Sequence, residues 1–146
     1  MELELFLFGE ETQKYCGEIF RRRFPQIPVK NSEKNCGEFI LLRRLKPVEY
    51  WCIFDSRQEQ VLQMAEHYHL RAMTCGFSSY NTLVLSACDE QAASVSLQRE
   101  IYSVFGTVVE PGDFLVHRGS CAPEEALLLC AATLLLLGEG KEEFHF

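Results

Sequence analysis

Residues Ala126 to Leu137 read ALLLCAATLLLL, and a helix built from them has almost no polar face. The run is too short to cross a bilayer, which takes about 20 apolar residues. A helix apolar on nearly all sides belongs inside a folded core. Pro123 suits its first turn, where a missing N–H costs nothing, and Glu124 and Glu125 favour the positive end of its dipole. Gly138 and Gly140 close it.

The rest of the chain has to cover that helix, and 146 residues suffice for one domain with a real core. Hydrophobic residues make up 47% and charged ones 24%, which is globular and not disordered composition. No repeat or interdomain linker appears, so residues 1–146 read as a single domain. The net charge of −7 argues against nucleic-acid and anionic-membrane partners, which need a cationic face. The basic run Arg21-Arg22-Arg23 reads as a solvated helix end. Seven cysteines without a repeated spacing, and no basic-then-apolar leader, point to reduced thiols in a cytoplasm, mostly buried.

Leu3 to Phe8 predicts a strand that Gly9 ends, and Glu10 to Phe24 a helix stopped by Pro25 and Pro28. Lys30 to Gly37 is polar and turn-rich, a mobile loop. Phe39 to Leu42 fits either a short strand or the start of a helix reaching Leu45. Tyr50 to Phe54 has the continuous apolar character of a strand buried on both faces. Asp55 or Ser56 then caps a helix, with Ser56-x-x-Glu59 matching a capping box. Val61, Leu62, Ala65 and Tyr68 form its buried stripe, and Leu70 to Cys75 is the next strand. Strand, helix, strand is a βαβ unit with parallel strands. After Gly76 the pattern switches to period two over Thr82 to Ala87, Val95 to Ile101 and Phe114 to His117, as in antiparallel hairpins. The expected fold is therefore a small three-layer α/β domain. A short parallel βαβ sheet is followed by an antiparallel hairpin or three-stranded sheet and the apolar C-terminal helix. The last residues, KEEFHF, read as frayed.

Strong catalytic signatures are missing. Gly9 lies between a strand and a helix, but FGEETQKY has neither the glycines nor the Lys-Ser/Thr pair of a phosphate loop, and Glu10 and Glu11 would repel phosphate. His67-x-His69 with Cys75, and His117 with Cys121, lack zinc-ligand spacing. A thiol nucleophile could be Cys75 at a strand end, or Cys121 near a helix N-terminus with His117 as base.

The series YWCIFD, VLQMAEHYHLRAMTCGFS, hairpin strands and EEALLLCAATLLLLGEG resembles the latter part of the central domain of the Mur ligases, over about residues 50–140. Arg71 to Ser78 is similar to that family's RVITYGF strand, and Ala126 to Gly138 to its terminal helix. The phosphate loop, the magnesium ligands and the C-terminal ligase domain have no counterpart here. The resemblance thus implies a shortened domain without the ligase machinery and without a cofactor. Asp55 falls near the family's Asn beside the nucleotide base. Three readings follow. One is a non-catalytic module that binds a protein partner or forms a homodimer. The second binds a nucleotide or anionic metabolite at the strands' carboxyl edge, around Gly9, Asp55, Cys75 and Gly76. The third is a thiol enzyme.

Overall fold

The computed structural model describes residues 2–119, 122–139 and 143–146. Its strands are β1 (Leu3–Phe8), β2 (Val29–Asn31), β3 (Phe39–Leu45), β4 (Val48–Asp55), β5 (Arg71–Gly76), β6 (Leu83–Cys88), β7 (Ala92–Leu97), β8 (Ile101–Tyr102), β9 (Val108–Val109), β10 (Gly112–His117) and β11 (Glu143–His145). Its α-helices are α1 (Gly17–Arg23), α2 (Glu59–His67) and α3 (Glu124–Leu136). A π-helical stretch, Thr12–Cys16, leads into α1.

Nine strands form one sheet in the order β11-β10-β7-β6-β5-β4-β3-β1-β2, and β8 with β9 makes a separate ribbon. Every strand of the large sheet except β3 and β7 runs in the same direction. The mixed α/β class and three-layer arrangement agree with expectation. The π-helical stretch, α1 and α3 cover one face through Cys16, Ile19, Phe20 and the leucines of α3. The other face carries α2, whose Val61 and Ala65 pack on Phe39, Cys52 and Phe54.

β4 is the buried strand its sequence suggests, with Trp51 to Asp55 all inside. It runs parallel to β5, from Trp51↔Arg71 to Asp55↔Cys75, which completes the βαβ unit. β3 is a strand throughout Phe39–Leu45 and is antiparallel to both β1 and β4. The period-two segments join this same sheet: β6 begins level with the end of β5 and pairs with it only at Cys75↔Leu83 and Gly76↔Val84. α3 lies across β3, β4, β5 and β6, and every residue from Ala126 to Leu136 is buried. A helix covered all round needs no polar stripe, which is why its sequence has none.

Several expectations change. The capping box does not form: α2 begins at Glu59 with Gln58 at its N-cap and no side-chain cap. Asp55 instead turns to Arg57, whose backbone N–H lies 2.9 Å from Asp55 Oδ1. Tyr68 follows the end of α2 and is exposed, so the buried stripe stops at Ala65. Part of the expected loop over 30–37 is ordered as β2, parallel to β1. The tail is not frayed over Glu143–His145. It adds β11 parallel to β10, and Phe144 is buried against Phe114. Gly140 and Cys121 lie outside the described residues.

Candidate functional site

The strand directions bring the ends of β1, β4 and β5 to one edge, where ligands of open α/β sheets bind. Gly9, Asp55, Cys75 and Gly76 all lie there, as expected, but each faces a group from its own chain.

At Gly9 (φ 97°) the chain turns from β1 into the first helical residues. The backbone N–H groups that follow are the orphan donors of a helix N-terminus, a natural anion site. Here Glu38, just before β3, supplies the anion. Its carboxylate accepts hydrogen bonds from Glu11 N–H (3.1 Å), Thr12 N–H (3.0 Å) and the Thr12 hydroxyl (2.8 Å). A Cβ on Gly9 would overlap that carboxylate, so the glycine makes room for it. Glu38 is in turn held by Gln58: its N–H donates to Gln58 Oε1 (2.8 Å), and Gln58 Nε2 donates to its carbonyl (2.6 Å). The residue at the α2 N-cap thus spends its side chain on the neighbouring loop.

Asp55 is 6% exposed and closes a two-residue turn with Arg57. The guanidinium donates to Asp55 Oδ2 at 2.7 Å and to Oδ1 at 3.1 Å. It also stacks over the Phe77 ring at 4.8 Å and reaches Glu125 at the start of α3 at 3.4 Å. The buried carboxylate is therefore neutralised by its own chain, which is how a buried charge is tolerated.

Cys75 is fully buried, its sulfur 3.9 Å from the Leu128 carbonyl of α3. Burial pushes its thiol well above the ordinary range, with Asp55 adding to the effect. Nucleophilic sulfur needs a thiolate, so Cys75 is a packing residue and not the expected nucleophile. Burial likewise pushes Cys52 up to about 12. At Gly76 the Asn81 side chain occupies the space a Cβ would take, its Nδ2 2.6 Å from that position, and donates to the Ser78 carbonyl.

Between these groups lies a concavity of about 350 Å³ lined by Glu11, Thr12, Glu38, Asp55, Arg57 and Glu125 around Leu129. Four carboxylates and one committed guanidinium give it acidic character. The sequence showed the glycines and Asp55, but not Glu38 or Gln58. Glu38 sits 27 residues from its partner Glu11 in a polar stretch with no periodicity, so only the β1–β3 register brings them together.

A larger concavity, about 590 Å³, opens at the opposite edge between the Phe24–Pro28 loop and Phe105. Beside it the β8–β9 ribbon exposes Tyr102, Phe105 and Val108, while Val104 turns inward. Arg44 Nη1 donates to the Val104 carbonyl (2.7 Å), and the Val104 N–H to the Leu136 carbonyl (2.8 Å), pinning the ribbon to β3 and α3.

Compared with protein-family models, curated proteins and solved structures, the chain matches none. Among the described residues no helix is long and apolar enough to cross a membrane.

Proposed function

We propose that this chain is a non-catalytic α/β module that associates through the β8–β9 ribbon, with a second copy of itself as partner. The observation that carries the reading is the cluster of Tyr102, Phe105 and Val108, each roughly half exposed on a ribbon fixed to the core. Large exposed apolar side chains grouped on a rigid support mark interaction surfaces. The carboxyl edge supports the same reading, because its Glu38 and Asp55 carboxylates already have intramolecular partners. The Mur-ligase-like reading of residues 50–140 belongs to this proposal, as does a cytoplasmic setting for the reduced thiols. Sedimentation at micromolar concentration gives the test. A dimer mass that falls to one chain in Phe105→Asp is expected; a single-chain mass for the unaltered protein overturns self-association.

The 350 Å³ concavity favours one second reading, a small ligand at the carboxyl edge. Its carboxylates disfavour anions, so nucleotides at millimolar concentration are expected to leave the melting temperature unchanged. A rise would restore the ligand reading.

A further inference from the structure

We propose that His117, Glu143 and His145 form a three-ligand site for a zinc-class divalent cation, which fastens β11 to β10. The three residues converge through sheet register. Glu143 and His145 are two apart on β11 and share a face, and His145 is the direct partner of His117 across the parallel pairing. The alternate residues, Val116 and Phe144, fill the core, so the trio stands on the opposite, outer face. Ala92 pairs with His117 on its other side.

The donor atoms already face one another. His117 Nε2 is 3.8 Å from one Glu143 oxygen, and His145 Nε2 is 3.9 Å from the other. Each separation is too long for a hydrogen bond. Zinc at bonds of about 2.1 Å sets tetrahedral ligand atoms about 3.4 Å apart, so the three side chains draw together and one imidazole turns when the ion binds. All three donors lie within 4.8 Å of one another. His117 Nε2 is shielded from solvent yet has no hydrogen-bond partner among the described residues. The two imidazoles stack with centroids 4.3 Å apart and planes 5° from parallel; an imidazole lone pair lies in the ring plane, so one ring has to turn out of the stack for both nitrogens to reach a shared ion.

Two imidazoles and one carboxylate suit zinc and its borderline neighbours, with the fourth position open to water. β11 is short and lies at the sheet edge, so an ion shared with β10 adds a cross-strand tie where the backbone supplies few.

The test uses the full chain, reduced and stripped of metal by a chelator, then titrated with zinc and, for spectroscopy, with cobalt. Uptake of one equivalent and a higher melting temperature are expected. Cobalt should give visible d–d absorption without a thiolate charge-transfer band. His145→Ala and Glu143→Gln, both at exposed positions, should keep the metal-free melting temperature and lose at least about tenfold in affinity, since even losing an outer-shell partner costs that much. No uptake overturns the proposal. So does a thiolate band, which would place the ion on a cysteine, or an affinity unchanged in both variants.

Discussion

Glu38 carries more of the structure than its place in a polar loop suggests. Its carboxylate caps the N-terminus of the first helical segment, and its backbone ties to Gln58 before α2. Glu38→Ala leaves two helix-end N–H groups and the Thr12 hydroxyl without their acceptor. Charged hydrogen bonds of this kind place the loss at about 1–3 kcal/mol, read from urea unfolding. Gly9→Ala should destabilise too, through its positive φ and the overlap with Glu38. The double variant should cost less than the sum, because removing the carboxylate clears the overlap. Gly9 was legible in the sequence because a glycine between a strand and a helix has few roles. Its partner was not, because nothing in the local sequence distinguishes Glu38 from the other acids of polar stretches. Glu4 gives a second residue-scale prediction. Hydrogen bonds from Arg43 and Lys30 hold its carboxyl below the ordinary value of 4.5. A lowered folded value means the stabilisation is present above about 4.5 and lost as pH falls through the folded value. Glu4→Gln should therefore flatten the acid limb of stability against pH, measured by denaturation at several pH values below neutrality.

Among the elements, β11 departs furthest from what its sequence announces. One buried Phe between Glu and His offers no period to detect, and the segment becomes a strand only because β10 presents an open parallel edge. Phe144 stacks between Phe114 and Phe146. Phe144→Ala should cost about 3 kcal/mol in denaturant unfolding, at the low end for a buried Phe because an edge strand can settle into the gap. β4 was legible for the opposite reason: a strand buried on both faces leaves a continuous apolar run. The start of α2 misled, since Ser56 and Glu59 have the spacing of a capping box. Asp55 and Arg57 outcompete it by forming a charged turn one step earlier. The β3 segment was ambiguous between strand and helix, and its two antiparallel neighbours decide for strand.

For the molecule as a whole, α3 and the change of pattern at Gly76 allowed the three layers to be foreseen. That the two patterns share one sheet was not legible, because strand neighbours distant in sequence are set by register and burial, not by local signals. The junction between them is thin: Cys75↔Leu83 and Gly76↔Val84 are the ladder pairs between β5 and β6, helped by a hydrogen bond from Thr82 N–H to Thr74 Oγ1, while β3 and β4 share pairs along their whole length. α3 spans that joint, with Leu128 over Cys75. Loosening the helix with Leu128→Ala should therefore speed amide hydrogen exchange at Leu83 and Val84 more than at Leu41 or Leu42 in β3. In mechanical terms the sheet is two panels meeting at a lap seam, and α3 is the splint across it. A load pulling the panels apart is borne chiefly by apolar packing and not by the backbone ladder. Loss of the core helix is therefore expected to weaken this seam.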